Sequence, residues 1–227
     1  MLTLKNIFKN YGDHKVLEGV NLMIGKGDIH GVVGKNGSGK TTLFRCIGGL
    51  EDSGGEVIYE HGILKNQTGF LPTDPFFFSF MTGHEYLQLL CNARNIKIGN
   101  ISDFNLFDLP LKQYAETYST GMKKKLALTG LLLQRNEVFL LDEPFNGVDI
   151  AGNMIINDVL LKLKSLGKII LMSSHIFSSL EDTCDQLHYL KDGKFEISRP
   201  KGSFDLIENE MKTANNASNI VANIYAI

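Results

Sequence analysis

Apolar positions change period several times along the chain, and the changes predict an α/β protein. Leu2 and Leu4 alternate with polar neighbours, and Val20, Leu22 and Ile24 do so again before the turn-forming run Gly25-Lys26-Gly27-Asp28. Period two between turn residues predicts an N-terminal antiparallel β layer leading into Ile29-His30-Gly31-Val32-Val33. Three segments are apolar without alternation: Val32-Val33, Val138-Phe139-Leu140-Leu141 and Ile169-Ile170-Leu171-Met172. Continuous runs of this kind are expected of parallel strands covered on both faces. Each leads directly into polar residues, and ligands of open parallel sheets sit off the carboxyl ends of the strands, so chemistry from three distant segments can converge there.

Helical spacing dominates between about residues 82 and 133, with Tyr86, Leu87, Leu89 and Leu90 in one stretch and Met122, Leu126, Leu128 and Leu131 to Leu133 in the next. The expected organisation is a mainly parallel α/β core over about 1–75 and 134–205, with an inserted α-helical subdomain over about 76–133. A later helix is predicted from Ile155 to Leu166, with Ile155, Ile156, Val159, Leu160 and Leu163 on one face and Gly167 ending it. Residues 211–227 are expected to form a C-terminal tail.

Composition narrows the classes. The 227 residues suffice for one substantial core or two small ones. With 23 basic against 25 acidic side chains and 43% hydrophobic residues, the chain is neither a disordered polymer nor a polycationic nucleic-acid binder. No apolar run reaches the roughly 18 residues of a membrane span, and the N-terminus lacks a leader profile, so a cytoplasmic protein is expected. Cys46, Cys91 and Cys184 are far apart and form no metal-ligand spacing, which predicts packed, reduced thiols.

Gly34-Lys35-Asn36-Gly37-Ser38-Gly39-Lys40-Thr41 matches the pattern G-x-x-x-x-G-K-[ST], placed after a buried strand and before a helix beginning near Lys40. Glycines allow the backbone to wrap, inward amides and the helix N-terminus favour phosphate, and Lys40 reaches the β and γ phosphates. The Thr41 hydroxyl is a Mg²⁺ ligand in this arrangement, with Thr42 beside it on the nucleotide. The bland alternative, a glycine-rich turn that binds nothing, does not account for the full motif in this context. Asp142 and Glu143 follow an apolar strand, where isolated carboxylates are costly to desolvate. Asp142 is placed to hold Mg²⁺ through water, and Glu143 to orient or deprotonate the attacking water.

These residues resemble the ATP-binding subunits of ABC transporters. Tyr118-Ser119-Thr120-Gly121-Met122 is similar to the family's LSGGQ signature, with Tyr118, Thr120 and Met122 departing from it. Glu143-Pro144-Phe145-Asn146-Gly147-Val148-Asp149 is similar to its catalytic-glutamate and D-loop segment, with Asn146 and Asp149 as the D-loop candidates. Ser173-Ser174-His175 resembles its switch-histidine strand end, and Tyr11 falls at its adenine-stacking aromatic. The likeness runs over about residues 2–205 and implies a phosphate-loop NTPase domain over 1–210.

The resemblance implies a subunit that binds ATP and Mg²⁺, pairs head to tail with a second ATP-binding subunit, a homodimer being the expectation, and hydrolyses ATP with Glu143 and His175. Ser119, Thr120 and Gly121 would then face the partner's γ-phosphate. It implies a separate transmembrane permease, an exporter by the form of the signature, no nucleic acid, and a place on the inner face of the cell membrane through that permease. The family's glutamine after the proline is replaced here by Thr73, followed by Asp74, and either side chain is a candidate for its Mg²⁺ contact. Two readings stand for Lys123, Lys124 and Lys125, which oppose the dipole of the helix they open: they meet a trans phosphate, or they extend into solvent. Phe76, Phe77, Phe78 and Phe80 are either core or a docking surface for a membrane subunit. The rival class, an ABC-type protein acting on ribosomes or nucleic acid, usually carries two cassettes or a long coiled coil; a small-molecule kinase leaves Ser119–Lys123, Asn146–Asp149 and His175 unexplained.

Overall fold

The computed structural model describes residues 1–174 and 177–213. Strands β1 (Leu2–Tyr11), β2 (His14–Ile24) and β4 (Gly54–Tyr59) form an antiparallel sheet in the order β2-β1-β4. A second sheet has the order β5-β6-β7-β3-β8-β9, from β3 (Ile29–Val33), β5 (Thr68–Leu71), β6 (Val138–Asp142), β7 (Ile169–Ser173), β8 (Gln186–Lys191) and β9 (Lys194–Pro200). All its pairings are parallel except that of β8 with β9.

The apolar runs are continuous because the parallel sheet faces two cores. Val32, Val138, Leu140, Ile169 and Leu171 join the antiparallel sheet and helix α1 (Lys40–Ile47), which contributes Leu43, Phe44 and Ile47. Their strand neighbours Val33, Phe139, Leu141, Ile170 and Met172 point to the opposite face, with Leu126, Leu128, Ile156 and Leu160. Alternation at period two therefore persists, but both faces are apolar.

Between β5 and β6 lie α2 (Gly83–Ala93), three-residue and four-residue 3₁₀ turns, and α3 (Thr120–Leu133). The α2 start is fixed by a capping box, in which Glu85 N donates to Thr82 Oγ1 and Thr82 N donates to Glu85 Oε2. Helix α4 (Ile150–Ser165) begins five residues before the predicted Ile155, because Asp149 caps it by accepting from Gly152 N at 3.0 Å. Its fully buried stripe is Ile156, Leu160 and Leu163, with Ile155 and Val159 at the margin. Two short helices complete the described chain, α5 (Phe177–Glu181) and α6 (Asp205–Thr213). Residues 211–213 of the expected tail belong to α6, and the rest of that tail lies outside the described residues. Cys46, Cys91 and Cys184 are buried thiols, as expected.

One polar pair is sunk in the sheet. His188 Nε2 and His30 Nδ1 lie 3.0 Å apart, and His188 Nδ1 lies 2.7 Å from Ser198 Oγ. Burial, reinforced by the neighbouring His30, pushes the His188 pKa down to about 3. Its neutral form is therefore favoured in the fold, so its contribution to stability is complete above the unfolded value of about 6.5 and is lost as pH falls toward about 3. The unfolding free energy from urea titrations should fall between pH 7 and 4.5, and the fall should be shallower in His188→Gln, by at most ~1.4 kcal/mol per pH unit, one proton's linkage. Identical slopes in the two proteins would contradict this assignment.

Candidate functional site

The glycine-rich loop after β3 is shaped by close approaches. A Cβ on Gly34 would collide with the Leu190 carbonyl oxygen and Ser38 Oγ, and Gly39 caps α1 with a φ of 101°, where a side chain is strained. A glycine cap supplies no side-chain acceptor, so the first amides of α1 remain available to an anion. Lys40 Nζ is folded into the loop, donating to the Gly34 carbonyl at 2.7 Å and to that of Lys35 at 3.1 Å. Desolvation lowers the Lys40 pKa, opposed by the negative charges of Glu143 and Asp142.

Asp142 gathers three elements. Its carboxylate accepts from Thr41 Oγ1 at 2.6 Å, from Thr73 Oγ1 at 2.8 Å and from Ser173 Oγ at 2.5 Å. These hydroxyls come from α1, from the segment after β5 and from the end of β7, where Asp142 and Ser173 are register partners. A buried carboxylate without such donors would be left unsatisfied at high cost. Ser173 then accepts from the Glu143 amide at 3.0 Å, tying the second acid to the same hub. Of the two residues after the proline, Thr73 reaches Asp142, whereas Asp74 is exposed.

A cavity of about 600 Å³ opens beside these groups, lined by Val16, Asn36, Gly37, Gly39, Lys40, Thr41, Thr42, Thr73, Asp142, Glu143 and Asn146. The chemistry of its walls fits a nucleotide with a hard cation: inward amides and an ammonium for phosphate, hydroxyl and carboxylate oxygens for the metal. Ser38 Oγ is buried in the loop against Gly34 without a hydrogen-bond partner and does not line this cavity. Tyr11 stands apart from this lining. It ends β1, 46% exposed, with Lys9 Nζ 5.0 Å from its ring centroid. His175 lies outside the described residues.

The signature residues open α3. Ser119 is its N-cap and accepts from Met122 N at 3.2 Å. A Cβ on Gly121 would overlap the Gly147 carbonyl oxygen, so this glycine lets the D-loop segment pass against the helix. Asp149, besides capping α4, pairs with Lys125 Nζ at 2.6 Å. The lysine run therefore divides. Lys125 is held by Asp149, while Lys124 is 1% exposed and donates from Nζ to the Glu143 carbonyl oxygen. Neither open reading of the run, trans phosphate or solvent, describes Lys124.

The contacts of Lys124 with the Glu143 carbonyl and of Ser173 with Asp142 are what motif reading misses. A signal existed for both: Lys124 shares the helical stripe of Gly121, Leu128 and Leu131, all buried, and Ser173 follows a buried run as Asp142 does. The aromatic cluster also divides. Phe77 is buried against Tyr86, with centroids 4.6 Å apart, whereas Phe76, Phe78 and Phe80 are exposed.

Comparison with known proteins agrees with the geometry. The family model described as ABC transporter matches residues 17–146. The chain is 32% identical over 207 residues to the uncharacterized ABC transporter ATP-binding protein YhcH of Bacillus subtilis (strain 168), covering 86% of this chain and 68% of that one. It is 27% identical over 228 residues to the lantibiotic transport ATP-binding protein SrtF of Streptococcus pyogenes, covering 95% and 96%. The fold is shared with a dimeric, post-hydrolysis structure of the ATP-binding cassette MJ0796 bound to ADP and Pi, with a TM-score of 0.80, 23% identity and coverage of 90% and 100%. A phosphate loop, a paired acid hub, a capped signature helix and this ancestry lead to one assignment: the chain belongs to the ABC transporter family as an ATP-binding cassette.

Proposed function

We propose that this chain binds and hydrolyses ATP, closes onto a second ATP-binding subunit when ATP is bound, and powers a separate transmembrane permease, acting as an exporter. The observation that carries the hydrolytic reading is the hub in which Thr41, Thr73 and Ser173 converge on Asp142 beside Glu143. Supporting the transport reading are the names of the relatives, including a lantibiotic transport protein. Among the described residues no helix is long and apolar enough to cross a membrane, so the permease is a second chain or segment.

In this reading the loop amides of residues 34–39 and the α1 N-terminus bind the phosphates, and Lys40 moves from the loop carbonyls to neutralise their charge. Mg²⁺, when bound, neutralises the negative charge that develops on the phosphates, and Thr41, Thr73 and Asp142 supply its oxygens directly or through water. Glu143 and His175 position the attacking water, with Glu143 accepting its proton. Tyr11 stacks on the adenine, Asn146 and Asp149 act from the D-loop, and Ser119, Thr120 and Gly121 are presented to the partner's ATP. The core and helical regions act as separate subdomains, the latter over about residues 76–133.

A groove of about 480 Å³ between the two regions is lined by Arg45, Leu50, Phe70, Pro75, Phe76 and Tyr86, among others. With exposed Phe78 packed against Phe76, it offers an apolar seat for the permease's cytoplasmic segment.

Two substitutions test the hydrolytic reading. Glu143→Gln should lower kcat by about 100-fold or more while ATP still binds and the dimer accumulates, as read by phosphate release and light scattering. A wild-type turnover rate would refute the role of Glu143. Lys40→Ala should abolish ATP binding in equilibrium titration, and unchanged affinity would refute the phosphate cradle.

A further inference from the structure

Glu143 has an unusual backbone. Its φ is 53°, in the left-handed region that residues with a side chain adopt uncommonly. Both ends of the residue are held. Its amide donates to Ser173 Oγ at 3.0 Å, and its carbonyl oxygen accepts from Lys124 Nζ. Lysine is seldom found fully buried, yet Lys124 is 1% exposed on the inner stripe of α3. Its charge is balanced by Glu143, Asp74 and Asp142, which counter the desolvation that lowers its pKa. A lysine kept in such a place at this cost serves the local geometry, since no apolar side chain can donate to that carbonyl.

We propose that Lys124 is a positioning residue for Glu143: its ammonium pins the Glu143 carbonyl, fixes the left-handed turn after β6, and thereby aims the Glu143 carboxylate into the phosphate cavity. The inference rests on the reading of Glu143 as the base of ATP hydrolysis. Lys124 does not itself line the cavity, and its hydrogen bond to the site is made to the Glu143 peptide, so its effect passes through that peptide. The same helix begins with Ser119 and Gly121, so the element that carries the signature also holds the glutamate of its own subunit in place.

The test uses the purified full chain, with steady-state ATPase kinetics, equilibrium binding of a non-hydrolysable ATP analogue, and melting curves. Lys124→Met keeps the stem and removes the donor. It should lower kcat by about 10- to 100-fold with KM and analogue affinity within about 2-fold of wild type. Lys124→Gln, which restores a neutral donor, should recover kcat to within about 3-fold of wild type. In the Glu143→Gln background, Lys124→Met should lower kcat by less than about 2-fold further, because both changes disable one device.

A wild-type kcat in Lys124→Met, a loss of analogue affinity matching the loss of rate, or losses that multiply in the double variant would each overturn the proposal. If Lys124→Met does not fold, Lys124→Leu takes its place under the same criteria, and a folded Lys124→Gln with normal analogue affinity and a kcat reduced more than about 10-fold overturns the proposal by itself. Full turnover in Glu143→Gln alone would instead overturn the catalytic reading beneath it.

Discussion

The site depends on satisfying the hydrogen-bonding demand of one buried carboxylate. Asp142 is 1% exposed at the end of an interior strand, where a carboxylate without hydrogen-bond donors is costly to bury. Hydroxyls from Thr41, Thr73 and Ser173 satisfy it, and the need for all of them binds the start of α1, the segment after β5 and the end of β7 to one point. The parallel order β5-β6-β7-β3 makes this possible, because it ends neighbouring strands on the same edge of the sheet. The glycine-rich loop follows β3 at that edge, so the hydroxyl and carboxylate oxygens of the hub and the loop are brought together by topology.

Around this hub the chain places charge in pairs. Lys40 enters among backbone carbonyls with Glu143 and Asp142 nearby, and Lys124 does the same on the other side of the second acid. Lys125 is drawn off by Asp149, which at the same time caps α4. Three adjacent lysines at a helix start are unfavourable against its dipole when considered alone. Two of them are relieved by partners from the segment that follows β6, and the contact of Gly121 with Gly147 brings that segment within reach.

Much of the site was legible because its motifs are local. The phosphate-loop motif needs spaced glycines within one short segment, and the acids follow an apolar run, so both can be read without knowing the fold. The contacts of Ser173 and Lys124 depend on strand register and on which face of α3 turns inward, and these are set by tertiary packing. For the same reason β4 escaped the pattern: its residues Gly54-Gly55-Glu56-Val57-Ile58-Tyr59 lie on an edge strand with little buried surface. The early start of α4 was hidden by Ile150 and Ala151, which are exposed and off the apolar stripe, although Asp149 followed by Gly152 holds its cap. The aromatic run admitted two readings because period alone cannot separate the buried Phe77 from its exposed neighbours.

The most direct test of the hub is to locate metal and nucleotide together. Crystals grown with Mn²⁺ and a non-hydrolysable ATP analogue should show an anomalous peak beside Thr41, Thr73 and Asp142, with the analogue's phosphates in the loop of residues 34–39. A metal peak away from Asp142, or phosphates bound elsewhere, would contradict the account.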